Sequence, residues 1–229
     1  TKYVKEEIEM TTFYFVRHGK TERNFEGRYQ GSHGDSQLLP ESYEEIKQLA
    51  AYFNSEKIRF AKIYCSPLKR TMTTAQEINK NLDQPGLKIE ADPAFMEFNL
   101  GKMEKMKFVD AEKQYPEMVE NFRYHPDKYD PTAIDGESYE ELFKRMTPKI
   151  QAIYQRYPED NILVVSHGAA LGAETRHLLG VPLAKIRERG GLANTSTTIL
   201  KTTDGEHFKC IAWNKTDYLK RKLDPTDII

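Results

Sequence analysis

Three times along this chain a short apolar run ends in a tight polar turn and gives way to a helical pattern. FYFV ends in Arg17-His18-Gly19; FAKIYC ends in Ser66-Pro67 and leads into LKRTMTTAQEINK; NILVV ends in Ser166-His167-Gly168 and leads into AALGAETRHLLG. Parallel strands need helical crossovers, so the alternation predicts an α/β fold: a three-layer α/β/α sandwich around a mainly parallel sheet. Ser66 before Pro67 reads as an N-cap followed by proline at the first helical position, and Gly180 as the end of the later helix. TSTTILKTT and HFKCIAW, joined through Asp204-Gly205, read as a hairpin that adds an antiparallel edge strand. Helices are expected after Leu39-Pro40 and after Gly136, where Ser138 and Glu141 have capping-box spacing; Pro148 is expected to bend or split the second. Residues 98–135 are polar and aromatic, punctuated by Tyr-Pro, His-Pro and Asp-Pro. They read as an inserted lid within a single domain spanning residues 1–229.

A chain of 229 residues holds one sizeable domain with a full core. Lys+Arg number 34 against 35 Asp+Glu, for a net charge of -1, so no overall pull toward nucleic acid or anionic lipid exists and any phosphate affinity has to be local. The apolar runs are strand-sized, far short of the ~20 residues that cross a bilayer. The charged start, TKYVKEEIEM, lacks a signal-peptide core, and a cytoplasmic location is the expectation. Cys65 and Cys210 lie in separate apolar runs and read as buried free thiols rather than a disulfide or metal knuckle. A homodimer is compatible with the sequence, which marks no interface.

In an open α/β sheet ligands bind beyond the carboxyl ends of the strands. His18, His167, Arg17 and, one turn into a helix, Arg70 all fall at such ends. Two imidazoles with two guanidiniums favour an anion over a metal, because fixed cations repel a divalent ion and no carboxylate cluster compensates. Helix N-termini after Ser66 and Gly168 are expected to add backbone N–H donors. A neutral imidazole whose second nitrogen is pinned by a hydrogen bond can attack phosphorus in line. His18, held between Arg17 and Gly19, is the candidate nucleophile, with His167 as a donor to the phosphoryl oxygens. The leaving alkoxide needs a proton and the later water needs a base, and one carboxylic acid with a raised pKa serves both. Glu97, in AFMEFNLG, is the candidate, with Glu104 as a neighbouring substitute. His33, His125, His177 and His207 read as surface or loop residues, His33 able to approach the pocket mouth. The lid aromatics Tyr115, Phe122, Tyr124 and Tyr129 read as packing or as a source of selectivity.

FVRHGKTERNFEGRYQG, YCSPLKRTMTTA, FMEFNLGKME, DGES and LVVSHGAAL, in that order, closely resemble the signature blocks of the histidine phosphatase (phosphoglycerate mutase-like) superfamily, across residues 13–200. The resemblance implies that His18 is the phosphorylated nucleophile and that Arg17, Arg70 and His167 complete the phosphate pocket. It further implies phosphate contacts from Asn24, Gln30 and the Gly168 backbone, Glu97 as proton donor, and neither metal nor organic cofactor. Three positions depart from the pattern. Lys20 stands where an acidic residue is usual and is expected to change charge beside the pocket. Met103-Glu104-Lys105 replaces the common Trp-Glu-Gly, which puts the lid's anchoring in doubt. The Arg-His-Tyr-Gly run typical of glycolytic mutases is missing after Glu97, which favours the phosphatase branch. The expected activity is metal-independent hydrolysis of a small phosphorylated metabolite through a phosphohistidine. A primer-dependent phosphoglycerate mutase and a catalytically silent phosphate-binding regulatory module are the alternatives.

Overall fold

The computed structural model describes residues 9–228; residues 1–8 of the charged N-terminal stretch lie outside that range. Strand β1 (Thr11–Arg17) is buried along its whole length. Its side chains alternate between two cores: Phe13 and Phe15 enter one, Tyr14 and Val16 the other. Burial on both faces is what a central parallel strand requires, and it explains why FYFV is apolar without interruption. β4 (Asn161–Ser166) does the same through Ile162 and Val164 on one face and Leu163 and Val165 on the other.

With β2 (Lys62–Cys65), β3 (Ile89–Ala91), β5 (Thr197–Thr202) and β6 (Phe208–Lys215), the sheet runs in the order β3-β2-β4-β1-β5-β6. The pairs β1–β4, β2–β4 and β2–β3 are parallel, whereas β5 pairs antiparallel with β1 and with β6. The hairpin expectation holds, with β6 at the edge. β3 was not expected: it is three residues long and only half-buried, too short to show a periodicity.

Short α1 (Glu22–Phe25) follows β1. The helices α2 (Pro40–Ser55) and α3 (Lys69–Asn81) cover the face of Tyr14 and Val16 through Ile46, Leu49, Phe53, Ala75 and Ile78. The other face carries α6 (Tyr139–Arg156), α7 (Gly168–Leu178) and two helices from the 98–135 segment, α4 (Phe108–Gln114) and α5 (Pro116–Tyr124). Pro40 opens α2, and Ser138 with Glu141 completes both halves of a capping box on α6. Gly180, with φ +75°, follows α7 in the left-handed region that glycine tolerates best.

Two local expectations fail. α3 starts at Lys69 rather than at Pro67, so Ser66 is not its N-cap; Asp35, from a distant loop, accepts instead from the Lys69 and Arg70 N–H groups. Pro148 does not split α6, which runs through it as one helix. No helix among the described residues is long and apolar enough to cross a membrane. Cys65 is a buried free thiol as expected, whereas Cys210, also free, is only half-buried on β6.

Candidate active site

The register of the sheet assembles the site. Arg17 pairs with Ser166 across β1 and β4, and Cys65 with Val165 across β2 and β4, so the three polar turns leave neighbouring strands at one level. Beyond these ends lies a narrow cavity lined by Arg17, His18, Asn24, Gln30, Arg70, Glu97 and Gly168 among others. His167 does not line it. It is fully buried beside His18, its ring 5.4 Å from that of His18 between centroids.

His18 Nδ1 lies 2.7 Å from the carbonyl oxygen of Gly19. A carbonyl can only accept, so Nδ1 carries the proton and donates, which leaves Nε2 as the nitrogen with a free lone pair. Burial first, then the charges of Arg70 and Arg17, hold this imidazole well below the ordinary histidine value. It is therefore neutral at neutral pH. His167 is lowered in the same way, by burial and then Arg70 and His18. Its Nε2 is 2.8 Å from Ser66 Oγ, while its Nδ1 is buried with no partner among the described residues.

Arg17 is almost wholly buried; its Nη1 donates to the carbonyls of Leu192 (2.5 Å) and Asp227 (2.8 Å). Arg70 donates to the carbonyls of Gly34 (2.7 Å) and Gly31 (2.8 Å) and pairs with Asp35 at 3.2 Å. The Nε of each guanidinium is buried without a partner among the described residues. Burial lowers Arg17 to about 10 against the opposing pull of Glu97 and Asp227, which leaves it a cation at neutral pH. Two desolvated guanidiniums with unspent donors form a strong anion site, since buried donors without partners are costly. Gly168 is part of the same fit: a Cβ there would lie 2.9 Å from Arg17 Nε.

Glu97 occupies the N-terminus of α7. Its Oε1 accepts from Phe98 N (2.9 Å) and Ala170 N (2.8 Å), and its Oε2 from Ala169 N (3.2 Å). The helix N-termini expected to donate to phosphate are thus already occupied, α3 by Asp35 and α7 by Glu97. Asn24 Oδ1 accepts from Thr21 and from Asn194 Nδ2, which leaves its Nδ2 for the cavity that Asn24 lines. Gln30 also lines the cavity, yet its amide is engaged with Thr21 (3.0 Å) and Ser36 (2.9 Å). Apart from Phe122, which the sequence offered among the lid aromatics, the remaining walls were not foreseen: apolar Leu100 and Phe108, with half-buried Arg28 and Arg187. Arg28 sits inside a quoted motif, but Arg187 carries no local signal. Of the lid aromatics, Phe122 reaches the cavity and Tyr129 packs in the core, while Tyr124 is 61% exposed. His33, His125, His177 and His207 are all exposed, and none lines the cavity.

The departures resolve individually. Lys20 adds no charge to the pocket: its Nζ turns to the C-terminal segment, meeting Asp227 Oδ1 at 3.1 Å, Asp224 Oδ1 at 3.2 Å and Thr226 Oγ1 at 2.5 Å. Met103 is fully buried, and Glu104 accepts from the N–H groups of Ser32 (3.0 Å), His33 (2.9 Å) and Leu100 (3.1 Å), so the segment is anchored. That engagement also ties up the substitute carboxylate. Lys105 has φ +72°, the left-handed conformation for which glycine is suited.

A family model of the histidine phosphatase superfamily (branch 1) matches residues 13–216. "Phosphoglycerate mutase-like protein 4" of Arabidopsis thaliana is 27% identical over 220 residues, covering 96% of this chain and 92% of that protein. Human "6-phosphofructo-2-kinase/fructose-2,6-bisphosphatase 4" is 32% identical over 178 residues, 78% of this chain but only 34% of that longer protein. Among solved structures, YhfR of Bacillus stearothermophilus superposes with a TM-score of 0.82 at 26% identity, over 91% of this chain and 98% of that one. A mycobacterial glucosyl-3-phosphoglycerate phosphatase, Rv2419c, shares the fold with a TM-score of 0.78 at 23% identity, over 89% and 98%. Paired His-Gly turns at adjacent strand ends, the sheet order and the match over most of the sequence converge: the chain belongs to the histidine phosphatase superfamily.

Proposed function

We propose that the chain is a phosphomonoester hydrolase that works through a phosphohistidine on His18 without a metal. The observation that carries this reading is the His18 ring, which is neutral and pinned through Nδ1 to Gly19, with Nε2 left free on a wall shared with Arg17 and Arg70. Nε2 attacks phosphorus, the P–O bond to the alcohol breaks, and Glu97 delivers a proton to the leaving oxygen. Water then attacks the phosphohistidine, gives its proton to Glu97, and phosphate departs with the N–P electron pair returned to Nε2. Arg17 and Arg70 hold the phosphoryl oxygens throughout, joined by Asn24 Nδ2 and by His167 through Nδ1. Gln30 closes the loop around them, and the Gly168 position gives Arg17 its room. Fixed guanidiniums repel a divalent cation, which is the reason no metal enters the scheme.

The alcohol portion of the substrate rests against Leu100, Phe108 and Phe122, with Arg28 and Arg187 on the same wall. This supports a small phosphorylated metabolite with an apolar face and a further anionic group. The 98–135 segment, which contributes Phe108 and Phe122, acts as the selectivity lid. A relative named for bisphosphatase activity is in keeping with hydrolysis, and the missing Arg-His-Tyr-Gly run after Glu97 favours it over mutase chemistry. The test is phosphate release from a panel of phosphomonoesters in EDTA, comparing the unaltered protein with His18→Ala and assaying 3-phosphoglycerate isomerisation in parallel. Release that survives EDTA and is lost in His18→Ala supports the proposal; isomerisation without release replaces it with a mutase, and silence in both with a binding module.

A further inference from the structure

Arg17, the phosphate-binding guanidinium next to the nucleophile, takes one of its two carbonyl acceptors from Asp227, a residue 210 positions away. The segment that brings Asp227 there has little regular structure of its own: a single 3-10 turn, Pro225–Asp227, capped by the Asp224 side chain. Its Asp227 side chain is completely buried, which for a carboxylate requires strong partners. Lys20 Nζ supplies one at 3.1 Å, and Arg221 supplies two more, through Nη1 and Nη2 at 2.7 Å each. The Asp227 carbonyl also accepts from Asn194 N, and Ala193 bridges Ile228. Lys20 is itself only three residues from Arg17, on the turn that carries His18. The tail is therefore fastened to the catalytic turn at two points, by its charge to Lys20 and by its carbonyl to Arg17.

We infer that Lys20 and Asp227 form a clip that positions Arg17: by fixing the tail's depth, Lys20 sets the carbonyl that aims the guanidinium at phosphate. Lys20 touches no substrate, and acts as a positioning residue through Asp227. Buried ion pairs contribute little net stability, and their better-attested use is to fix one arrangement among several. Pro225, Thr226 and Ile228 also wall a second cavity that shares Asn24, Phe108 and Arg187 with the catalytic one, so the same clip places an outer wall beside the site.

The inference rests on the phosphatase reading only in taking Arg17 as a phosphate ligand, so its test reads phosphate binding rather than turnover. Inorganic phosphate is titrated calorimetrically into the unaltered protein, Lys20→Met and Lys20→Arg. Lys20→Met leaves Asp227 paired with Arg221 and should fold. Loss of such outer-shell aim costs about tenfold in affinity, with Lys20→Arg recovering most of it. A remote core change, Ile78→Val, lowers the melting temperature and leaves phosphate affinity in place, which separates positioning from general loosening. Thr226→Val, at an exposed residue, removes the Thr226 Oγ1 bonds to Lys20 and to Asp224 and gives a smaller loss in the same direction should Lys20→Met fold poorly. Phosphate affinity unchanged in a folded Lys20→Met or in Thr226→Val overturns the clip alone. No phosphate binding by the unaltered protein overturns the pocket and the clip together.

Discussion

Glu174 lies on α7, completely buried, and the proposed chemistry does not use it. Its Oε1 accepts a 2.6 Å bond from Thr147 Oγ1, while Oε2 has no partner among the described residues. Burial pushes this carboxyl up from an ordinary 4.5 to about 8, against smaller opposing pulls from Thr147 and Arg145. The unfolded chain gives up this proton near 4.5 and the folded protein keeps it to about 8. Stability contributed at this position is thus fully present below 4.5 and is lost as pH rises between the two values. At ~1.4 kcal/mol per pH unit the loss is about 3 kcal/mol by pH 7 and approaches ~5 kcal/mol above pH 8. Glu174→Gln keeps the Thr147 acceptor and mimics the protonated acid at every pH. Urea unfolding followed by circular dichroism at pH 5, 6, 7 and 8 should find the variant close to the unaltered protein at pH 5 and increasingly more stable above it. A stability difference that does not grow with pH would falsify the assignment of a buried neutral acid at this position.

Three further outcomes follow from the same structure. Because His18 must be neutral to attack and is held well below the ordinary histidine value, lowering the pH from 7.5 to about 6.5 should not bring the activity loss that an unperturbed histidine, titrating near ~6.5, would cause; a kcat/KM profile that halves there refutes the assignment. Lys105→Gly relieves a left-handed backbone at φ +72° and should stabilise the protein by about 1 kcal/mol in chemical denaturation, with no gain if the conformation is unstrained. Gly168→Ala places a Cβ 2.9 Å from Arg17 Nε and is expected to raise KM and the phosphate inhibition constant together while far-ultraviolet circular dichroism stays unchanged; unaltered kinetics would show that Arg17 does not need that space.

Much of the framework was legible because it is encoded locally. FYFV and ILVV are apolar at every position because their strands face two cores, and a run of that kind between polar turns reads directly as a central parallel strand. The same strand ends bring His18, Arg17, Arg70 and His167 together, so the candidate chemistry was visible from motif order. β3 was not, since three residues, none of them buried, carry no periodicity. Ser66-Pro67 misled because Ser66 faces His167 while Asp35 satisfies the helix start from another loop.

The sequence by itself therefore determined the layer architecture and the polar turns that converge at the strand ends, which follow from short-range patterns of polarity, and its family resemblance pointed to His18 as the proposed nucleophile. Only the tertiary structure decided how those groups are held. Lys20 looked like a charge beside the pocket and is instead buried against Asp227; Glu104 looked like a spare acid and is instead a clamp on the backbone of Ser32 and His33. Arg17 rests on carbonyls 175 and 210 residues away. Such contacts depend on where irregular segments come to pack, and a coil segment without periodicity leaves no local trace of its destination.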